Sequence, residues 1–260
     1  MSALAAVLLG MLQGLTEFLP VSSSGHLVIA EQLLGVPASG LTFEVMVHIG
    51  TLAAVLVAFW PDVAALLRRP WQRLTGLLVL GTVPAALAGV FLEPLVERAF
   101  QSLATVGLGL LATGVLLVLG ETASRRAWWG KKADGITALD AVLVGVMQAI
   151  AILPGISRSG STIAGGLLRG LDREYAARFS FLLSIPAILG AAALEGWDVV
   201  RAGVGGALAV PYLLGSVTAA LFGYLAITLV MAVVREGRLT WFAYYCWGLG
   251  ALVLGSQLLR

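Results

Sequence analysis

Charge is scarce in this chain. Only 12% of its 260 residues are Asp, Glu, Lys or Arg, against 59% hydrophobic residues and a mean hydropathy of +0.97, a composition that excludes a water-soluble enzyme. The net charge of +2 is too small to mark nucleic acid or an acidic macromolecule as a partner, so any information lies in where the charges sit. The single cysteine, Cys246, has no second thiol to pair with, and no Cys/His cluster offers a zinc site. A basic leader is missing too. Met1 to Leu19 is apolar, yet the first Lys or Arg is Arg68, so the segment reads as part of the mature fold and not as a signal peptide. No tract is long enough to fold as a separate soluble domain. The longest polar interruption, Glu121 to Gly135, carries Trp128 and Trp129 beside basic residues, as expected at a membrane interface.

What remains is apolar sequence, and its length decides the fold class. A helix needs about 20 mainly apolar residues to cross a bilayer core of roughly 30 Å. Six stretches qualify, near 41–60, 74–92, 101–120, 175–195, 211–234 and 239–258. Two more apolar regions are interrupted, 3–19 with 24–35 at Pro20-Val21-Ser22-Ser23-Ser24-Gly25, and 138–153 with 159–169 at Pro154-Gly155-Ile156-Ser157-Arg158-Ser159-Gly160. Proline removes an amide donor and glycine weakens a helix, so such breaks must face protein or water, not lipid. The expected fold is an all-α integral membrane protein, with six transmembrane helices plus two re-entrant helical hairpins.

Orientation follows from the enrichment of Lys and Arg in short cytoplasmic loops. With both hairpins re-entrant, one face carries Arg68, Arg69, Arg73, Arg125, Arg126, Lys131, Lys132, Arg169, Arg173, Arg178, Arg235 and Arg238, and the other only Arg98, Arg201 and Arg260. That asymmetry places both termini outside. A hairpin that spanned instead would scramble it.

The two interrupted regions are also related to each other. An offset of 135 lays Gly10 on Gly145, Gln13 on Gln148, Ser22 on Ser157, Ser24 on Ser159 and Gly25 on Gly160, and an offset of 136 lays Phe43 on Phe179 and Ile49 on Ile185. The matches coincide with the breaks and with one layout, a hairpin followed by three spans. The chain reads as a single membrane domain, 1–260, duplicated as 1–121 and 136–260. Three crossings between the copies, an odd number, make this an inverted-topology repeat, whose broken helices bring polar groups together near the midplane.

Ionisable groups at membrane depth are costly and point to function, with burial against a partner as the competing explanation. Glu17 follows Gln13 by four residues, so both project from one helix face; Gln13 alone can be explained by freed backbone. Ser22-Ser23-Ser24-Gly25-His26 opens a helix whose free amides and dipole suit an anion. For Ser22 and Ser24 an N-cap role is an equal reading. His26 lies three residues from Ser23, a spacing that lets an imidazole act as the hydroxyl's base. In the second break Arg158 is a permanent planar cation suited to phosphate oxygens. Ser157, Ser159, Gly160, Ser161 and Thr162 surround it as a second anion cradle. The competing reading pairs Arg158 with Glu17 as a structural ion pair. Glu44 and His48 form an i,i+4 pair, and Glu31 follows the first hairpin; none of the three is given chemistry. Glu93, Glu97, Glu195 and Asp198 read as solvated loop residues.

The stretch from Gln13 through Glu17-Phe18-Leu19-Pro20 to His26, together with Pro154 to Thr162, resembles the undecaprenyl-diphosphatase family, often called bacitracin-resistance proteins. The resemblance runs the whole chain. It implies a multi-pass enzyme of the bacterial inner (plasma) membrane that hydrolyses undecaprenyl diphosphate to undecaprenyl phosphate and inorganic phosphate, recycling the carrier lipid of cell-wall synthesis. It also implies a divalent cation, Mg2+ or Ca2+, held by Glu17 and Gln13, where Gln13 offers an amide oxygen and one negative charge fewer than a glutamate. The residues expected to act are Glu17, Ser23, His26 and Arg158, with Ser22, Ser24, Gly25, Ser157, Ser159, Gly160 and Thr162 binding the diphosphate. Ser23 is the preferred nucleophile with His26 as its base; direct attack by His26 or by an activated water uses the same residues. The cleft is expected to open to the outer face. The partners implied are the lipid substrate and the membrane, with a homodimer allowed and nucleic acid excluded. The alternative, suggested by inverted repeats and broken helices, is a transporter or flippase of a phosphorylated isoprenoid lipid. A bare membrane scaffold leaves Glu17 and Arg158 unexplained.

Overall fold

Where the sequence is interrupted, the helices stop. The computed structural model describes residues 1–34, 41–126, 130–202 and 206–258, with the backbone alone at 34, 41, 126, 194–202 and 206–209. Trp128, Trp129 and Arg260 lie outside the described residues, as do the side chains of Arg126, Glu195, Asp198 and Arg201. The elements run α1 (Ala3–Phe18), α2 (Ser23–Leu34), α3 (Leu41–Ala58), α4 (Trp60–Arg68), α5 (Arg73–Phe91), α6 (Glu93–Phe100), α7 (Leu103–Arg126), α8 (Ala138–Ile150), α9 (Arg158–Leu168), α10 (Arg173–Ala202), α11 (Gly206–Arg235) and α12 (Thr240–Leu258). Among the described residues there are no strands, only an isolated bridge between Lys131 and Leu171.

This is a multi-pass membrane protein. Among the described residues four helices, α5, α7, α10 and α11, are long and apolar enough to cross a bilayer, and α3 with α4 makes a fifth if the bent pair counts as one span. The stretch expected to cross at 41–60 ends at Ala58 and turns by 86° into α4, whose first turn contains Pro61; proline fits that turn because its missing N–H has no acceptor there. The stretch at 239–258 forms α12. Thr240, Trp241, Tyr244, Tyr245 and Trp247 make it less apolar than the other four, and it falls outside that set.

The interrupted regions fold into two helix pairs, α1 with α2 and α8 with α9, each packed arm against arm. Their tips are covered by protein. Pro20, Val21 and Ser22 are buried, as are Pro154, Gly155, Ile156 and Ser157. Helix α7 runs behind both, with Val106 and Leu110 packed on Val21 together with Cys246 of α12. Gly155 sits at φ +86°, where a Cβ would meet the Val106 carbonyl oxygen at 2.2 Å, so this corner of the chain admits only glycine. On the other side of the molecule α1 meets α11 backbone to backbone, with Gly10 against Gly215.

Broken helices free backbone groups that must be satisfied inside a membrane. Thr113 of α7 does this for the second tip, donating its hydroxyl to the Gly155 carbonyl at 3.0 Å and accepting from the Ser157 amide at 2.9 Å. Thr113→Val leaves both groups buried without a partner, and is expected to lower stability by roughly 2–4 kcal/mol. Thermal unfolding of the detergent-solubilised protein measures this.

The basic end counted from the sequence is also an anchored end. Buried Asp140 at the start of α8 binds Lys131 at 3.0 Å and Arg169 at 2.8 Å, and buried Glu121 binds Arg125 at 3.1 Å and Arg173 at 3.0 Å. Asp62 of α4 pairs with Arg178 of α10. The Asp140 pairs tie the roots of α8 and α9 to each other, and the Glu121 and Asp62 pairs tie α7 and α4 to α10. The tip therefore projects from a fixed base.

Candidate active site

Each tip is built by its own serines. Ser22 lies in the left-handed region at φ 70°, with its hydroxyl accepting from the Gly25 amide at 3.3 Å. Ser157 caps α9 in the same way, accepting from the Gly160 amide at 3.0 Å. Each cap oxygen also faces the serine two residues on, Ser24 at 3.3 Å and Ser159 at 3.2 Å. Capping was one of the two readings for Ser22, and the structure gives that hydroxyl to the cap. The first-turn amides of Ser23 and Ser24, and of Arg158 and Ser159, have no carbonyl acceptor within their own helices. They are the donors a helix start offers to an anion.

The two tips touch. Ser159 Oγ donates to the Leu19 carbonyl at 3.2 Å, and a Cβ on Gly25 would lie 3.2 Å from Gly155 Cα. At the contact, Arg158 Nη2 donates to Glu17 Oε1 at 2.5 Å. The other carboxylate oxygen, Oε2, accepts from Ser23 Oγ at 2.6 Å and from Gln13 Nε2 at 3.0 Å. Glu17 is 8% exposed, so one buried carboxylate holds a cation and a hydroxyl at once. The ion pair named as the competing structural reading is present, and it sits among the donors that a purely structural pair does not require.

Chemically, a serine hydroxyl hydrogen-bonded to a carboxylate is a nucleophile with its proton acceptor in place. The guanidinium 2.5 Å from the same carboxylate puts a fixed positive charge on its other oxygen. Ser23, Ser24 and Arg158 are half-buried, whereas Ser157, Ser159, Gly160 and Thr162 are buried and build the second tip. Thr162 is turned away, donating to the Arg158 carbonyl at 2.8 Å and facing Ser180 Oγ of α10 at 2.6 Å.

His26 is not paired with Ser23 in this structure, a correction to the sequence expectation. Its Nδ1 donates to the Ser22 carbonyl at 2.7 Å, and its Nε2 meets the Tyr245 hydroxyl at 2.7 Å. A carbonyl only accepts, so Nδ1 carries the hydrogen and the neutral ring's Nε2 accepts from the tyrosine. The two rings are near parallel at 8°, with centroids 5.7 Å apart. Both nitrogens are engaged, and the Ser23 proton points to Glu17 instead.

Three contributors escaped the sequence reading. Tyr245 lies 219 residues from His26, and nothing local marks it. Thr113 sits in an ordinary apolar span. His48, noted with Glu44 but given no chemistry, places Nε2 3.9 Å from Glu17 Oε2 while Nδ1 donates to the Glu44 carbonyl at 2.7 Å. Its signal was the i,i+4 spacing of two ionisable residues inside a span.

A divalent cation has a narrow fit here. Among the described residues no three His, Cys, Asp or Glu side chains cluster to hold a metal, and Glu17 is already paired with Arg158. The buried Oε1 of Gln13 has no hydrogen-bond partner, which makes it a hard oxygen donor beside the carboxylate. One carboxylate and one amide oxygen suit an ion such as Mg2+ that takes its remaining ligands from substrate phosphates and water.

Comparison with known proteins bears on this geometry. The family model described as "Bacitracin resistance protein BacA" matches residues 6–252. A protein of Carboxydothermus hydrogenoformans named "Undecaprenyl-diphosphatase" is 47% identical over 259 residues, covering 99% of this chain and 98% of its own length. One of the same name from Halothermothrix orenii is 43% identical over 256 residues, covering 98% of each chain. Another, from Methanosphaera stadtmanae, is 39% identical over 273 aligned positions, covering 96% of each.

Proposed function

Because the chain belongs to the bacitracin resistance protein BacA family, we propose that it is an undecaprenyl-diphosphatase, hydrolysing the lipid diphosphate to undecaprenyl phosphate and inorganic phosphate and so recycling the carrier lipid of cell-wall synthesis. The observation that carries the reading is the meeting of the two tips, which puts Ser23, Glu17 and Arg158 in one hydrogen-bonded chain inside a membrane protein whose relatives bear that name.

Ser23 Oγ attacks the terminal phosphorus and its proton passes to Glu17. The bond from that phosphorus to the bridging oxygen breaks, and the oxygen leaves on undecaprenyl phosphate. Water then replaces Ser23 on phosphorus, Glu17 returns the proton to the serine oxygen, and inorganic phosphate is released. Phosphoryl transfer calls mainly for positioning and charge stabilisation. Arg158 and the first-turn amides of both tips supply them. His26 and Tyr245 act indirectly, holding the Ser22 turn that orients Ser23. Mg2+ or Ca2+ arriving with the diphosphate would be held by Glu17 and the Gln13 amide oxygen, and supplies further charge neutralisation.

In this reading the chain crosses a bacterial plasma membrane six times. The two helix pairs are re-entrant halves of an inverted repeat, both termini lie outside, and the cleft opens to the outer face. The lipid tail stays in hydrocarbon while the head group enters the polar cleft. The matching caps of Ser22 and Ser157 support the repeat. Every residue used comes from one copy of the chain, so a second copy is allowed but not required.

The test is phosphate release from undecaprenyl diphosphate by the purified protein, with and without EDTA. Release is expected, and chelation is expected to reduce it at least about tenfold, with recovery on adding Mg2+. No release, with lipid moving between leaflets instead, refutes the enzyme. Release that EDTA leaves untouched removes the cation from the account and keeps the phosphatase.

A further inference from the structure

Gln148 is a polar side chain with no visible reason to be where it is. It lies on α8, 3% exposed, and neither its amide nitrogen nor its amide oxygen has a hydrogen-bond partner. Ser161 on α9 is fully buried, and its hydroxyl is equally unpartnered. So is Nη1 of Arg158, the guanidinium nitrogen that does not reach Glu17. Unmet polar atoms in a membrane interior are costly, and in native proteins such groups as a rule find a partner, protein or ligand.

Helix spacing relates these groups. Gly165 packs against Val144 and Met147 of α8, a Cβ there meeting Met147 Cγ at 2.8 Å. One helical turn nearer the tip on each antiparallel arm stand Ser161 and Gln148. Ser161 also follows Arg158 by three residues, on one face of α9.

The first helix pair shows what such positions do. At the offset of 135, Gln148 corresponds to Gln13, Arg158 to Ser23 and Ile152 to Glu17. Gln13 and Ser23 both donate to the Glu17 carboxylate, at 3.0 Å and 2.6 Å. In the second pair the donors remain, but the residue in the carboxylate's place is isoleucine, which cannot accept. Buried donors for which the chain supplies no acceptor call for one from a ligand.

We propose that Gln148, Ser161 and Nη1 of Arg158 form a second phosphoryl subsite, in which an oxygen of the substrate's phosphate takes the part that the Glu17 carboxylate plays in the first helix pair. The Gln148 amide and the Ser161 hydroxyl donate, and the guanidinium supplies the charge. Arg158 thus binds Glu17 on one edge and phosphate on the other. The proposal rests on the phosphatase reading, in which two phosphoryl groups must be held, one leaving on the lipid and one as inorganic phosphate.

The experiment is steady-state kinetics on the full-length protein in detergent, with undecaprenyl diphosphate as substrate and inorganic phosphate and undecaprenyl phosphate as product inhibitors. Gln148→Leu and Ser161→Ala are each expected to raise the inhibition constant of one product by about 5–10-fold. The product affected identifies the phosphoryl group held. Gln148→Glu, similar in size but anionic, is expected to raise it further. Ser161→Ala removes a single oxygen and keeps the test open if a Gln148 variant fails to fold. Inhibition constants that stay within about twofold for both products, or a wild-type protein that neither product inhibits, overturn the subsite. A wild-type protein that releases no phosphate refutes the enzyme itself, whereas normal release with unchanged inhibition refutes the subsite alone.

Discussion

Arg158→Ala is expected to cut phosphate release by about three orders of magnitude, as removal of a preorganised charge from a dry active site does. The variant loses the guanidinium that is hydrogen-bonded to the Glu17 carboxylate. It also strands Glu17, 8% exposed, and stranding a buried charge destabilises by roughly 3–5 kcal/mol. Lost activity and lost fold must therefore be separated. Arg158→Ala combined with Glu17→Gln restores charge balance, and is expected to recover much of the stability and none of the activity. Arg158→Lys keeps the charge but not the planar fork that serves two partners at once, and is expected to retain a small fraction of the rate. Phosphate release and thermal unfolding measured side by side settle this. Near-normal turnover by the folded double variant would remove Arg158 from the chemistry.

Ser23→Ala is expected to abolish turnover, by about 10⁴-fold or more, because it deletes the attacking atom. Glu17→Gln is expected to be nearly as damaging, because the Ser23 hydroxyl loses its proton acceptor and Arg158 its counter-charge. His26→Ala and Tyr245→Phe provide the contrast. In the structure these side chains bond each other and the Ser22 carbonyl, not Ser23. Tyr245→Phe removes one hydroxyl and is expected to cost about tenfold or less, while His26→Ala, which also frees the left-handed turn at Ser22, costs more. Brief reaction with substrate labelled in the terminal phosphate, followed by acid quenching, should leave label on Ser23 in the wild type and none in Ser23→Ala. Label on His26, or full turnover by Ser23→Ala, would reassign the nucleophile.

The degree to which the site was legible follows the range of the interactions. Serine caps are local, since the hydroxyl binds an amide three residues on, and so a cap could be read for Ser22 after its proline break, whereas Ser157, read as part of an anion cradle, caps α9 as well. The expected contact between His26 and Ser23 is absent for a related reason. Three-residue spacing permits a contact with Ser23, but the ring instead turned back one full helical turn to the Ser22 carbonyl and outward to a tyrosine from α12. Spacing defines what a side chain can reach, not which of several partners it takes.

The amino-acid order alone determined that this is a membrane protein, where its two apolar runs are broken, and that a glutamate and an arginine stand beside those breaks, because hydropathy, proline and costly charge are properties of the chain itself. Tertiary structure decided the rest. It bent α3 into α4 and brought α7 behind both tips, where Thr113 receives the freed backbone of the second. It also gave the Ser23 proton to Glu17, because a hydrogen bond across the break between α1 and α2 depends on how the two arms fold back on each other, and packing is settled only by the whole molecule.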